Sequence, residues 1–244
     1  MEDTESQVRV NFTRPFPLFP LDGVVLLPHA MLRLFLFEPR YRQMMEHVLD
    51  GAGQIAMAVF DGRHGSHEGM VLPRLKPAVC IGQLVQHERN PDGTYHCWLQ
   101  GVCRAQIVEE HAPAGDRLYR EATLQPISRP DEVAPGVPER HARLVELLRD
   151  GPLRDTAPVA RLIDQLDEQA GDLDAIAPNV LLEVVALGLI NTLDRPHLMY
   201  RLLEEPDEAA RYDLALRELS DFSSLLRTVQ PQFDPEAPQG ISWN

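Results

Sequence analysis

Lys76 is the only lysine among the 23 basic residues of this 244-residue chain, and that scarcity bounds the chemistry open to it. A phosphate-cradling loop needs a glycine-rich turn and a lysine reaching the β- and γ-phosphates, and a Ser-Lys dyad needs a lysine to take the nucleophile's proton. Lys76 sits in Pro73-Arg74-Leu75-Lys76-Pro77, with no glycine and no following Ser or Thr. Neither activity is expected within this polypeptide unless another chain supplies it. Ser66 and Ser128 have no strand-turn-helix elbow around them. The acidic pairs Glu109-Glu110 and Glu204-Glu205 read as exposed faces and helix punctuation, not as paired catalytic carboxylates. No catalytic residue is assigned.

Metal ligation fares no better. His64, His67 and Glu68 lie in the Gly-rich stretch Asp61 to Gly69, but no second ligand pair accompanies them, so a solvated loop is expected. His87, His96 and Cys97 approach one another if Asn90-Pro91-Asp92-Gly93 closes a hairpin with Asn90 opposite Thr94. That register brings His87 near Cys97, while strand alternation puts His96 and Cys97 on opposite faces. Cys80, Cys97 and Cys103 form no CxxC pair and no even disulfide framework, and are expected to be buried, reduced thiols in strands. No metal or cofactor is assigned.

Binding residues are the remaining possibility. The stretch from Phe16 to Phe37 holds more Phe and Leu than one sheet face can hide, so Phe35 and Phe37 are candidates for an exposed apolar groove. Glu38-Pro39-Arg40-Tyr41-Arg42 follows at a strand-to-helix junction. Its charges suit a helix cap by Glu38 and an ion pair from Arg40 to a carboxylate across the sheet, and alternatively a site where Arg40 and Arg42, beside Tyr41, meet a peptide carboxylate or another anion.

The elements that would position these residues divide in two. From Pro15 to Pro126, short apolar or alternating runs bounded by Gly, Pro, Asn and Asp predict strands at Phe16 to Pro20, Met31 to Phe37, Gln54 to Phe60, Val79 to Glu88, Thr94 to Gln100, Val102 to Glu109 and Tyr119 to Leu124. One helix interrupts them, opened by Pro39 and closed by Gly51, with Tyr41, Met44, Met45, Val48 and Leu49 on one face. Residues 127–137, with Pro130 and Pro135, read as a linker. From Pro138 the period becomes helical, with Pro138, Pro158, Pro178 and Pro206 as starters and Gly151 and Gly171 as stops. The last helix, Asp207 to Val229, aligns Tyr212, Ala215, Leu216, Leu219, Phe222, Leu226 and Val229. Residues 1–14 read as an extension and 231–244 as a loose tail.

At 44% hydrophobic the chain can bury a sizeable core. It shows no secretory signal and no run approaching the roughly 20 apolar residues of a membrane span, so a cytoplasmic location without membrane contact is expected. A formal net charge of -14 without a basic stripe leaves a nucleic-acid partner little to gain from counterion release, so none is expected.

The ordered series Phe16-Pro17-Leu18-Phe19-Pro20-Leu21, Val24-Val25-Leu26-Leu27-Pro28 and Leu34-Phe35-Leu36-Phe37-Glu38-Pro39-Arg40-Tyr41-Arg42 resembles the start of the Lon protease N-terminal domain family. The resemblance continues through Ile81-Gly82, Asp92-Gly93, Gly101-Val102-Cys103-Arg104, and Leu202-Leu203-Glu204 ahead of Asp207 and Arg211, covering roughly Arg14 to Arg227. It implies an α+β fold: a PUA-like β-barrel with one inserted helix, followed by a C-terminal helical bundle. In the full-length proteases such a domain precedes ATPase and serine protease modules, and this sequence stops where they would begin. The expected function is therefore non-catalytic recognition of unfolded or extended polypeptides. Two alternatives stand beside it: a nucleotide- or RNA-binding module, as PUA folds resemble, and an adaptor delivering substrates to a separate protease or ATPase chain.

Overall fold

The structure is a computed structural model that describes residues 8–62, 72–127, 134–193 and 195–229. His64, Ser66, His67, Glu68 and Ser128, most of the 127–137 segment and the 231–244 tail lie outside the described residues.

Six strands, β1 (Phe16–Leu21), β2 (Met31–Leu36), β3 (Gln54–Val59), β4 (Ala78–Arg89), β5 (Tyr95–His111) and β6 (Glu121–Pro126), form one sheet in the order β2-β5-β4-β3-β1-β6. β5 also pairs with β6, so the ladder from β5 through β4, β3, β1 and β6 returns to β5 and leaves β2 outside it. All pairings are antiparallel except β1 with β3, which run parallel. β3 shows how composition meets this geometry. Its alternation places Ala56 and Ala58 with Leu18, Val79, Ile81 and Ala122 in one cluster. Ile55, Met57 and Val59 join the main core on the other side, so the strand is buried on both faces.

Sequence punctuation misleads at Gly101. The runs Thr94 to Gln100 and Val102 to Glu109 are one continuous β5, paired with β2 and β4 over its first half and with β6 over its second. Gly101 serves close approach, not a turn: a Cβ there would overlap the Leu27 carbonyl oxygen, and the His29 N–H donates to the Gly101 carbonyl at 2.9 Å. Gly101→Ala is expected to push the Leu26–Pro28 loop off the sheet. The cost should be about 1–3 kcal/mol or more, read as a lower urea midpoint with an unchanged slope. A midpoint within error of wild type would show that the loop yields freely.

The helices are α1 (Pro39–Leu49), α2 (Val137–Arg149), α3 (Ala157–Ala170), α4 (Pro178–Gly188), α5 (Pro196–Glu204) and α6 (Glu208–Val229). Proline stands at the first or second position of α1 through α5, where its missing N–H costs nothing. α5 is an element the periodicity does not separate. The 3₁₀ turn Ile190–Leu193 splits what reads as one run after Pro178, and Pro196 restarts it. α6 buries Tyr212, Ala215, Leu216 and Leu219, with Phe222 and Leu226 half-buried beyond them.

One buried cluster runs from Phe19, Leu26 and Leu99 of the sheet side through Leu144, Leu182 and Leu203 of the helices. Polar contacts reinforce it. The Ala78 N–H donates to the Tyr200 hydroxyl at 2.9 Å, Lys76 lies 4.2 Å from the centre of the Tyr200 ring, and the Arg104 guanidinium donates to the Leu203 carbonyl at 3.2 Å. Lys76 is thus occupied on an aromatic face. Within the helices, Arg211 donates to buried Glu183 at 2.6 Å and to the Leu202 carbonyl at 2.7 Å.

Candidate functional site

The hairpin between β4 and β5 sets the register of everything on the outer face. Asn90 and Thr94 close it through backbone and side-chain bonds of 2.9 and 2.8 Å, Gly93 takes a positive φ of 80°, and the Thr94 N–H and hydroxyl both donate to Asp92. These two donors, with Arg42 nearby, hold the Asp92 carboxyl below its usual range. β2 then pairs along β5, Met31 opposite Gln100, Arg33 opposite Trp98 and Phe35 opposite His96.

Alternation does the rest. Leu34 and Leu36 turn into the core, while Met31, Arg33, Phe35 and Phe37 are exposed. Met31, Phe35 and Phe37 remain about half to three-fifths exposed, unusual for large apolar side chains so close together. The Phe35 and Phe37 rings lie 5.9 Å apart, Phe35 stacks on the His96 ring at 4.8 Å, and Arg33 covers the Trp98 ring at 5.2 Å. Among the described residues Arg33 has no carboxylate partner. The face is an aromatic strip whose cation, Arg33, rests on Trp98 with no carboxylate partner among the described residues.

Of the five residues singled out from sequence, the structure brings Phe35 and Phe37 together on this strip. The other three sit differently. Tyr41 is buried edge-on against Phe19 at 4.4 Å, and loss of hydration pushes its phenol up to about 12. Arg40 donates to the Glu38 carboxylate at 2.9 Å, two residues back and not across the sheet, and lies 4.5 Å over the Tyr41 ring. The Glu38 side chain makes no cap; its backbone carbonyl accepts from the N–H groups of Tyr41 and Arg42 instead, because the carboxylate is taken by Arg40. Arg42 packs over the Gly93 turn.

Met31, Arg33, His96 and Trp98 were not singled out as binding residues. Their signal was present in the alternation of β5, which puts His96, Trp98 and Gln100 on one face, but the partner strand had to be known before those positions could be joined to Phe35.

His87 does pair with Cys97 in register, and Cys97 is buried while His96 stacks outward. Among the described residues no group of three His, Cys, Asp or Glu side chains is placed to hold a metal ion. All three cysteines are free; Cys103 is half-buried, not buried like Cys80 and Cys97, because β5 at that point faces a partly open side. Burial raises the Cys97 and Cys103 thiols to about 11, leaving both protonated at neutral pH.

The second concavity of interest lies where α5 meets β4, β5 and β6, a cavity of about 490 Å³ lined by Pro77, Gln106, Gln125, Ile127, Glu204 and Glu205 among others. Its charged lining among the described residues is acidic, which a phosphate would meet with repulsion. None of the helices among the described residues is long and apolar enough to cross a membrane.

Residues 15–221 match the family described as the ATP-dependent protease La (LON) substrate-binding domain. A curated Lon protease of Azorhizobium caulinodans is 24% identical over 215 residues, covering 83% of this chain and 24% of that protein, so the chain spans about a quarter of its length. The N-terminal domain of the Mycobacterium avium complex Lon protease superposes with a TM-score of 0.62 at 18% identity, covering 86% of this chain and 98% of that one. A Lon N-terminal domain protein from Xanthomonas campestris gives 0.54 at 19% identity, covering 84% and 98%.

Proposed function

The chain belongs to the ATP-dependent protease La (LON) substrate-binding domain family, and from that premise we propose that it is a non-catalytic module that captures unfolded or extended polypeptides on the Met31–Phe35–Phe37 strip and presents them to ATPase and protease modules. The observation that carries this reading is the strip itself, three large apolar side chains held open on a rigid sheet. A PUA-like barrel is the fold we infer for the sheet, supported by the ladder that returns to β5 and the alanine-rich cluster inside it. Unpaired cysteines suit a reducing cytoplasm. Against nucleotide or RNA binding stand the net charge of -14 and the acidic lining of the α5 cavity.

Affinity here comes from apolar surface removed from water, at about 25 cal/mol per Å² less the cost of ordering the peptide, which leaves micromolar binding that salt barely changes. Fluorescence anisotropy with aromatic-rich unfolded peptides and with single-stranded RNA, each across a salt series, tests it. The expected result is salt-tolerant peptide binding and negligible RNA binding at physiological salt. Phe35→Asp and Phe37→Asp should each weaken peptide binding by about tenfold, since each removes on the order of 1.5 kcal/mol of apolar burial, with stability changed by no more than about 0.5 kcal/mol. Tight RNA binding with a steep salt slope would reject the reading.

A further inference from the structure

β2 ends the sheet. Its backbone hydrogen bonds go to β5, and among the described residues none runs from Met31–Leu36 to any other segment. Half of the N–H and C=O groups of this strand therefore face an open edge. Edge strands are usually protected by proline, lysine or a bulge. β2, Met-Leu-Arg-Leu-Phe-Leu, has no proline, its register with β5 is unbroken, and its one charge, Arg33, is drawn over the Trp98 ring on the sheet face. An open edge of alternating donors and acceptors is complementary to one kind of ligand, another extended backbone.

Resting on the recognition role just given, we propose that this edge takes up an extended client segment as an added strand, with apolar residues at alternate positions beside Met31, Phe35 and Phe37 and a carboxylate facing Arg33. Backbone pairing gives tolerance of sequence, and the strip gives preference. Arg33 sets the one charge preference, because it is held over Trp98 at 5.2 Å and has no carboxylate among the described residues. A second copy of this chain is a poorer occupant. Two edges of six residues bury far less than the roughly 1,200 Å² of a stable interface, and two bodies at -14 repel each other. A segment of about six residues, roughly 20 Å long, matches the length of β2.

The test uses the full chain and three synthetic peptides with phenylalanine at alternate positions and one central glutamate: unmodified, N-methylated on one alternate set of amides, and N-methylated on the other. Anisotropy is expected to show one methylated peptide losing at least about 30-fold in affinity and the other staying within about twofold, because only one set of amides faces β2. In Arg33→Glu, replacing the peptide's glutamate by lysine should restore binding that the glutamate peptide loses. Equal binding of both methylated peptides would overturn strand addition while leaving apolar recognition standing. No binding of the unmodified peptide would overturn both. A concentration-dependent dimer in sedimentation velocity that the peptide fails to dissociate would assign the edge to a second copy and overturn the proposal.

Discussion

Arg211→Leu is expected to cost about 3–5 kcal/mol of folding stability, a large fraction of the roughly 5–15 kcal/mol a native protein has to lose. Arg211 and Glu183 are both almost fully buried, and their contact at 2.6 Å joins α6 to α4. Removing the cation strands a carboxylate in the core whose second oxygen already lacks a hydrogen-bond partner among the described residues. The arginine also loses its bond to the Leu202 carbonyl, the contact that ties the end of α5 to α6. Replacing both members, as Arg211→Leu with Glu183→Leu, should recover most of the loss, because the penalty belongs to the unpaired charge more than to the missing pair.

The same pair gives a pH dependence whose sign follows from burial. Burial raises the Glu183 carboxyl above its ordinary value of 4.5, with Arg211 and then Arg104 opposing. A group that binds its proton more tightly in the folded state contributes stability that is complete below 4.5 and is lost as pH rises toward the raised value. Urea midpoints measured from pH 4 upward should show this decline steepened in Arg211→Leu and flattened in Glu183→Gln. A flat profile in all three proteins would place Glu183 in a wetter site than its burial indicates.

Met45→Asp is the other large effect. Met45 is fully buried on α1, in the cluster with Leu34, Leu36 and Met44, and an aspartate there has no cation to meet among its α1 neighbours in the core. Burying it costs several kcal/mol whether it stays ionised or takes a proton. Met45→Leu, of similar volume, should stay within about 1.5 kcal/mol of wild type. Because β2 contributes Leu34 and Leu36 to the same core, Met45→Asp should also weaken peptide binding, while Met45→Leu leaves it alone. Wild-type denaturant stability in Met45→Asp would put this face of α1 in solvent.

Local signals proved readable where one residue type answers one local demand. Pro39 and Pro178 open helices, Gly171 ends α3 with a positive φ of 75°, and Asp92-Gly93 turns the hairpin. Readings failed where the demand came from far along the chain. Gly101 looks like a break because the approach of Leu27, 74 positions earlier, leaves no trace beside it. The alternative anion-site reading of Arg40 and Arg42 arises because a sequence does not show the neighbours they find, Glu38 beside Arg40 and the Gly93 turn beneath Arg42. Phe35 and Phe37 were visible as surplus apolar residues, but the strip they belong to needed the β2–β5 register before His96 and Trp98 could join it.

Ala78, Lys76 and Arg104 meet Tyr200 and Leu203 across the sheet-to-helix boundary, beside a buried cluster that draws on both sides. The proline-punctuated stretch after Pro126 looks like the natural place to cut, yet a fragment ending there would leave an oily flank wet and strand two cations that now rest on the other half. The sheet and its helices are therefore expected to unfold in a single urea transition, and two separate transitions would show that the halves stand apart.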